Sequence, residues 1–236
     1  MLSFIVPAYN EESELPAMLR ILRAAADASG EPYELIVVDD ASTDRTAEIA
    51  SAAGARVVSV RRRQIAAVRN AGARVARGDV FFFVDADTHI NPTHVTEGLR
   101  ALEAGYVGGS ARIKLDAEVP RWARVFLVVF SALYFGSNLG VGAFLFMRRE
   151  HFEAAGEFDE QYFAGEEMYL TLALKKLGRF IILPEPITTS ARKVRMHSPR
   201  FVIGQWLGMM LGGQSALRQR EKLALWYDGK REGNVG

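Results

Sequence analysis

The stretch FFFVDADTHI, residues 81–90, places two carboxylates directly after a run of large apolar residues. Such a run predicts a buried strand, and ionised carboxylates at its end are costly unless a positive group meets them. Oxygen ligands suit Mg²⁺ or Mn²⁺, which bridge carboxylates and substrate phosphates. The residues alone leave two interpretations open. Either Asp85 and Asp87 meet a metal-bound ligand, or Asp85 pairs with an arginine while Asp87 caps the following turn.

Three further apolar segments precede this one, and helical patterns separate them. The four predicted strands are LSFIVPAY, ELIVVDD, RVVSV and DVFFFVDAD. Uniformly apolar strands that alternate with helices predict an α/β fold, in which a mostly parallel sheet has helices on both faces. Ligands of such sheets gather at the carboxyl ends of the strands. Asp39 and Asp40 end one of these strands, so we expect them near Asp85 and Asp87.

Composition limits the classes of function. The chain has 236 residues, with 29 Lys and Arg against 28 Asp and Glu, and its net charge is +1. This balance gives no global attraction for nucleic acid, so we expect no nucleic-acid partner. The absence of cysteine excludes disulfides and thiolate metal sites. The N-terminus has no basic region before its short apolar run, so we expect no signal peptide and a cytoplasmic location.

The second half of the chain is less regular. Its predicted strands are YVGGSARI, GAFLFMRRE and RFIILP, and its predicted helices cover residues 119–135 and the segment EEMYLTLALKKLG, residues 166–178. The latter helix begins with acidic residues and ends with lysines, which complements the helix dipole. From Ser198 onward we expect an amphipathic helix that carries Trp206, Met209 and Met210, followed by a loose tail from Asp228.

Four motifs in this order resemble those of family 2 glycosyltransferases with the GT-A fold. The motifs are SFIVPAYNEE, IVVDDASTDRT, AVRNAGARVARGDVFFFVDADT and GEEMYLTLALKKLG. Each motif alone is weak, whereas the ordered combination is specific and covers residues 2–193. The resemblance implies transfer of a sugar, with inversion, from a UDP- or GDP-linked donor to an acceptor hydroxyl. It also implies a divalent cation, Mn²⁺ or Mg²⁺.

The resemblance also implies a domain organisation. A GT-A domain is expected over residues 1–197, divided into a nucleotide-sugar half, 1–115, and an acceptor half, 116–197. Residues 198–236 would form a C-terminal helical appendage with a tail.

The same resemblance implies roles for individual residues. At the nucleotide sugar it places Pro7, Ala8, Tyr9, Glu11, Asp39, Asp40, Ser42, Arg69, Asp85, Ala86, Arg192 and Lys193. Asp40 would accept a hydrogen bond from the base, and Arg192 with Lys193 would contact phosphate. Asp87 and His197 would bind the metal, which would stabilise the leaving diphosphate. Each of these roles has a purely structural alternative: turn capping for Asp39 and Asp40, and solvated side chains for Arg69 and His197.

Glu167 is expected to be the general base that takes the proton from the acceptor hydroxyl. The family usually has aspartate at this position, and Ala173 stands where many members have arginine. An alternative is that Glu166 and Glu167 only complement the helix N-terminus. Two other functions remain open: a non-catalytic relative that binds nucleotide sugar, and a sugar nucleotidyltransferase. The glycine-rich loop of the latter class has no counterpart in PAYNEE.

Residues 125–147 form a run of 23 uncharged positions, about the length of a membrane span. A single span here would place Asp87 and Glu167 on opposite sides of the membrane, and no active site would form. The segment GSNLGVG within the run predicts two elements joined by a turn instead. The apolar residues would suit peripheral contact with the inner face of the cell membrane and a lipid-linked acceptor. A buried core or dimer contact is the alternative.

Overall fold

The computed structural model describes residues 1–116, 119–120, 122, 136–192 and 196–223 of the chain. Some expectations from the sequence lie outside the described residues: most of the helix predicted over 119–135, the phosphate contact of Lys193, the side chains of Trp206 and Met210, and the tail from Asp228.

Eight strands of the described residues form one sheet. They are β1 (Leu2–Ala8), β2 (Tyr33–Asp39), β3 (Arg56–Ser59), β4 (Val80–Val84), β5 (Thr88–His89), β6 (Gly108–Leu115), β7 (Phe144–Arg148) and β8 (Phe180–Thr189). Their order is β3-β2-β1-β4-β7-β6-β8-β5. Strands β1 to β4 run parallel, whereas β7 is antiparallel to both of its neighbours and β5 is antiparallel to β8. The first half of the sheet is therefore parallel, as predicted, and the second half is mixed.

Helices cover both faces of this sheet. They are α1 (Leu15–Asp27), α2 (Thr46–Ala52), α3 (Ile65–Val75), α4 (Pro92–Glu103), α5 (Arg149–Ala154), α6 (Glu166–Leu177) and α7 (Pro199–Leu217). Residues of α1 and α4 pack in a core cluster with Phe4 and Phe82, whereas residues of α3 and α6 pack in a second cluster with Phe81 and Phe83. Because side chains alternate along a strand, the two clusters lie on opposite faces. The predicted α/β class is confirmed.

The three phenylalanines of β4 lie at the centre of this core. Phe81, Phe82 and Phe83 are each at most 1% exposed. The Phe82 ring stacks on Phe4 at a centroid distance of 5.0 Å, and Phe83 meets Phe158 edge to face at 5.0 Å on the other side of the sheet. Burial of one such side chain contributes about 1.5–3 kcal/mol. These contacts fix the end of β4, and with it the backbone that carries the two aspartates.

The predicted elements of the second half are present where the structure describes them. The strands correspond to β6, β7 and β8, and the helix EEMYLTLALKKLG to α6. The uncharged run 125–147 ends within β7 rather than in a helix. No helix of the described ranges is long and apolar enough to cross a membrane. The helix predicted from Ser198 is α7, whose first turn is capped where the Phe201 N–H donates to the Ser198 hydroxyl at 3.4 Å.

Helix α3 lies close to the sheet because Gly72 has no side chain. A Cβ built at Gly72 would lie 2.4 Å from Ile5 Cγ2 and 2.9 Å from Val38 Cγ2, closer than packed atoms come. This close approach brings Arg69, about one turn earlier on the same helix, to the end of β4.

Gly72→Ala is expected to lower the free energy of unfolding by about 1–3 kcal/mol, because the added methyl group overpacks the contact between helix and sheet. Gly204→Ala is the matched control. Gly204 is also helical, but a Cβ there would meet nothing described within 4 Å, so better helix propensity should stabilise by up to about 1 kcal/mol. Urea unfolding measures both changes. Equal stability of the two variants would contradict the close contact at Gly72.

Candidate active site

Three neighbouring parallel strands deliver polar residues to one edge of the sheet. Strands β2, β1 and β4 lie side by side. Ala8 is opposite Asp39 in the register of β1 and β2, and the Asp40 N–H donates to the Ala8 carbonyl at 2.9 Å. Asp85 directly follows β4. The acidic residues that the sequence predicts at the carboxyl ends of the strands therefore do lie along the same edge.

The ring of Tyr9 lies just past β1 beneath an arginine. Arg63 Cζ is 3.5 Å from the centroid of the Tyr9 ring, a cation–π contact. Pro7 and Ala8 are buried, whereas Tyr9 is half-buried, so the ring is where β1 begins to present a surface at this edge. An aromatic face beside a guanidinium is a surface on which a planar base stacks.

Asp40 holds the loop that carries Arg63. One of its carboxylate oxygens accepts the Arg62 N–H at 2.6 Å, and the other accepts the Arg63 N–H at 2.7 Å. The Asp40 residue is only 6% exposed. These contacts fix the loop after β3 over Tyr9, while the predicted hydrogen bond from a base to Asp40 stays a prediction.

Asp39 and Ser42 brace the turn after β2. Asp39 Oδ1 accepts the Ser42 N–H at 3.3 Å, and Ser42 Oγ accepts the Asn10 N–H at 3.0 Å. The turn after β2 is thereby tied to the turn after β1. The contact of Asp39 is the capping interaction that the sequence offered as its alternative role.

Arg69 is the partner of Asp85. Its Nη2 lies 2.8 Å from Asp85 Oδ1, its Nη1 lies 2.5 Å from Glu166 Oε1, and Nη2 also donates to the Gly142 carbonyl at 2.8 Å. The Arg69 side chain is 2% exposed. Burial lowers the pKa of Arg69, but the carboxylates of Asp85 and Glu166 outweigh burial and raise that pKa above its usual value. Arg69 is therefore a charged, buried cation.

In this arrangement Arg69 contacts carboxylates of the protein, and its predicted contact with the nucleotide stays a prediction. The guanidinium is enclosed by Asp85, Glu166 and Gly142. Gly142 lies so close that a Cβ at this residue would be only 2.9 Å from Arg69 Nη2. Arg69 is a counter-ion that links the end of β4 to the start of α6. Asp85 pairs with an arginine, as one of its two interpretations predicted, and its contact with a ligand stays a prediction.

Arg192 is the corresponding partner of Asp87. Its Nη1 and Nη2 donate to the two carboxylate oxygens of Glu11, each at 3.0 Å, and Nη2 lies 3.6 Å from Asp87 Oδ2. The side chains of Arg192 and Glu11 are 5% and 9% exposed, whereas that of Asp87 is 22% exposed. Ala86, expected at the nucleotide sugar, is a core residue at 4% exposure. The two aspartates thus meet different arginines.

Helix α6 brings two glutamates to the same edge. Gly165 precedes them with φ of 75°, the left-handed conformation that glycine adopts readily. Glu166 is buried against Arg69, and Glu167 is half-buried. Burial and, next, the neighbouring Glu166 carboxylate raise the pKa of Glu167 to about 8. A carboxyl group with a pKa near neutrality is suited to proton transfer.

The donor atoms at this edge suit a metal ion that is bound by Asp87 and by substrate phosphates together. In the described part of the chain, no three His, Asp or Glu side chains form a cluster able to hold a metal ion by themselves. His197 stacks on Phe201, with ring centroids 4.8 Å apart. Asp87 is a partly exposed carboxylate, and Mg²⁺ typically binds one or two carboxylates together with substrate phosphates. The donor set therefore suits a cation bound between Asp87 and a diphosphate.

Two residues that hold the loop before α6, Asn70 and Gln64, were not predicted from the sequence. Asn70 Nδ2 donates to the Phe158 carbonyl at 2.9 Å, and Asn70 Oδ1 accepts the Phe158 N–H at 3.1 Å. Gln64 Nε2 donates to the Tyr162 carbonyl at 3.2 Å. The signal that was available is a polar Asn70 beside Arg69 on a helix whose neighbouring residues are small and apolar.

Comparison with known proteins identifies the family. The family model described as glycosyl transferase family 2 matches residues 3–155. That region is more than half of the chain, and the chain therefore belongs to this family.

Curated relatives share about a third of the matched residues. An undecaprenyl-phosphate 4-deoxy-4-formamido-L-arabinose transferase of Shewanella sediminis is 36% identical over 129 residues, which cover 51% of this chain and 39% of that protein. The protein of the same name from Pseudomonas aeruginosa is 37% identical over 132 residues, covering 52% and 39%. The matched region therefore spans about two fifths of the length of these relatives.

Solved structures share the fold. S. aureus TarS in complex with UDP-GlcNAc has a TM-score of 0.64 at 18% identity, covering 98% of this chain and 74% of TarS. The mannosyltransferase PcManGT from Pyrobaculum calidifontis, in complex with GDP-Man and Mn²⁺, has a TM-score of 0.67 at 21% identity, covering 97% and 68%. The predicted GT-A glycosyltransferase fold is confirmed.

Arg69→Met is expected to destabilise the protein by about 3–5 kcal/mol near pH 8, because it leaves buried carboxylates without their cation. The loss should be smaller at pH 5, since Glu166 then takes up a proton more readily in the variant. Urea unfolding at both pH values measures the effect.

Arg74→Met is the matched control on the same helix. The Arg74 side chain is 54% exposed and pairs with Glu157 at 3.2 Å and Glu160 at 3.3 Å. Such exposed pairs contribute at most about 1 kcal/mol. If Arg69→Met cost no more than Arg74→Met at pH 8, Arg69 would not be the counter-ion of this site.

Proposed function

We propose that this family 2 chain transfers a sugar, with inversion, from a nucleoside diphosphate donor to an acceptor oxygen. The observation that carries the proposal is the Arg69 bridge. One guanidinium bonds both Asp85 and Glu166, so the neighbouring Asp87 and Glu167 belong to the same edge of the sheet. A donor-binding carboxylate and a proton acceptor are the two groups that such a transfer needs.

The donor would lie along the ends of β1, β2 and β4. Its base would stack at Tyr9 beside Arg63, near Asp39, Asp40 and Ser42. Three observations support this placement: the Tyr9 ring under a guanidinium, the loop held there by Asp40, and solved neighbours described with UDP-GlcNAc and GDP-Man. A UDP- or GDP-linked donor is therefore proposed.

A divalent cation, Mn²⁺ or Mg²⁺, would be held by Asp87 together with the diphosphate, with His197 as a second candidate ligand. When bound, the metal would supply charge stabilisation to the leaving diphosphate. Arg192 lies 3.6 Å from Asp87 and would contact the same phosphates, with Lys193 beside it in the sequence. A mannosyltransferase of similar structure was solved in complex with Mn²⁺, which supports this class of cofactor.

Glu167 would act as the general base. Its half-buried carboxyl group stands next to Glu166, whose charge Arg69 balances. In the ionised form, Glu167 would accept the proton of the acceptor hydroxyl as the bond to the sugar forms. Arg69 would hold the first turn of α6 in place during this step.

The acceptor oxygen has two candidate sources. A hydroxyl acceptor needs a base, which the position of Glu167 provides. The curated relatives are instead named for undecaprenyl phosphate, and a phosphate oxygen is already ionised and needs no proton removed. Either a lipid-linked hydroxyl or a polyprenyl phosphate would bring the enzyme to a membrane surface, and we propose peripheral binding on the cytoplasmic face.

The donor is tested by thermal unfolding with UDP, GDP, CDP or dTDP, each with and without Mn²⁺. We expect one nucleotide to stabilise only with the metal, by roughly 2.7 kcal/mol at 100 times its Kd. Asp87→Ala should abolish this gain. Asp79→Ala is the control, because Asp79 directly precedes β4, at the other end of the strand from Asp87, and its side chain is 81% exposed. Equal shifts in both variants would remove Asp87 from the donor site.

The base is tested by Glu167→Gln, which is expected to lower kcat by about 10²- to 10⁴-fold while the donor Kd stays unchanged. Glu48→Gln is the control, since Glu48 is an exposed acid in the first turn of α2. If both variants retain full turnover, Glu167 is not the base and only complements the dipole at the N-terminus of its helix. If wild type binds donor but transfers nothing, the protein is a non-catalytic relative.

The two acceptor classes are separated by pH. With a hydroxyl acceptor, kcat/KM is expected to rise with pH and level off above about 8, because Glu167 must lose a proton whose pKa is about 8. With a polyprenyl phosphate acceptor, the rise through this range should be absent. Steady-state rates between pH 6 and 9.5 provide the measurement. A flat profile with a hydroxyl acceptor would contradict Glu167 as the base.

A further inference from the structure

The last turn of α7 contacts the loop that leads into α6. This loop, residues 158–165, is called the base loop. The Phe163 N–H donates to the Leu217 carbonyl at 2.8 Å. Leu217 is 7% exposed, and its Cδ1 lies 3.5 Å from the position that a Cβ would take at Gly165. The end of α7 is therefore packed against the residue immediately before the two glutamates.

Arg218 extends this contact into α6 itself. Its Nη2 donates to the Tyr162 hydroxyl at 3.1 Å, and its Cζ lies 4.8 Å from the centroid of the Tyr162 ring. The Tyr162 ring stacks on Tyr169 at a centroid distance of 3.9 Å and an interplanar angle of 17°. Tyr169 lies two residues beyond Glu167 on α6. Arg218, Tyr162 and Tyr169 thus form a continuous path of contacts to the helix that carries the proposed base.

A break in α7 allows this docking. Gly213 has φ of 51° and ψ of −142°, a conformation outside the helical region that is accessible essentially to glycine alone. The break gives residues 214–217 a direction of their own. Beyond them, Leu223 is fully buried in a cluster with Tyr162, Ala164 and Leu217. The segment 213–223 is called the C-terminal clamp.

The start of α6 needs such external support. Its N-cap residue is Gly165, and no side chain caps the helix there. The base loop is held at its beginning by Asn70, through Phe158, and near its end by the C-terminal clamp, through Tyr162 and Phe163. Because a displacement of about 1 Å at a reacting group costs on the order of 10²-fold in rate, both attachments bear on the geometry of Glu167.

We infer that Arg218 is a positioning residue for the base helix, and that the C-terminal clamp supports the active site from outside. The inference rests on the proposed function. It also revises the predicted domain boundary, because residues 213–223 act with the GT-A domain rather than as a separate appendage. Arg218 acts through Tyr162 and Tyr169, and it touches no reacting atom.

The test is Arg218→Met in the full chain, which removes the guanidinium and keeps an unbranched apolar stem. We expect kcat to fall at least tenfold while the donor KM and Kd stay within twofold of wild type. Arg218→Lys should recover most of the loss, because its ammonium group still donates to the Tyr162 hydroxyl. Arg100→Met is the control, because the Arg100 side chain is 67% exposed on α4 and the change removes one positive charge outside the clamp.

Amide hydrogen exchange gives a second readout that does not depend on activity. In Arg218→Met, exchange in residues 162–169 should rise at least tenfold, while exchange in β1 and β4 stays unchanged. Unchanged kcat and unchanged exchange would overturn the inference. A parallel loss of kcat, donor binding and protection across the whole sheet would also overturn it, because Arg218 would then only support the fold. If wild type transfers no sugar, the proposed function fails separately, and exchange alone decides whether the clamp holds α6.

Discussion

The buried guanidinium of Arg69 is the interaction on which the candidate active site depends. It bonds Asp85 at the end of β4 and Glu166 at the start of α6. Without this cation, two carboxylates in a largely buried place would repel each other, and one would take up a proton. With it, the strand that carries the aspartates and the helix that carries Glu167 are held together. The close approach of α3 at Gly72 and the small residue Gly142 make room for this one side chain.

Arg192 repeats this arrangement at the second aspartate, where it bonds Glu11 and approaches Asp87. The groups around the two arginines are five carboxylates: Glu11, Asp85, Asp87, Glu166 and Glu167. When all are ionised, these groups alone carry an excess of three negative charges. Burial and, after it, the carboxylates of Glu166 and Asp85 raise the pKa of Glu167 to about 8. The excess negative charge also favours the proposed divalent cation at Asp87, the partly exposed carboxylate.

Much of the fold was predictable because it follows from local patterns. Apolar runs, helical spacing and acids placed directly after strands indicate the parallel half of the sheet and the edge where ligands gather. The partners of those acids were not predictable. Arg192 reaches Asp87 from a distant part of the chain, whereas Arg69 reaches Asp85 from the preceding helix, and no local pattern distinguishes either from a solvated arginine. The same holds for α7. The start of this helix at Ser198 was predicted from the sequence, but the contact of its C-terminal end with Tyr162 depends on a glycine break and on tertiary packing.

The proposed role of Glu167 as proton acceptor depends on its pKa, which burial and the Glu166 carboxylate raise to about 8 at a position that the Arg69 bridge holds in place. The most direct test is a ¹³C NMR titration of the glutamate side-chain carboxyl carbons, with Glu167→Gln used to assign the signal. We expect one carboxyl group that titrates at about pH 8 in wild type and is missing in the variant. If every glutamate titrates near pH 4 to 5, the usual range, Glu167 is an ordinary surface carboxylate and its proposed role as the base is contradicted.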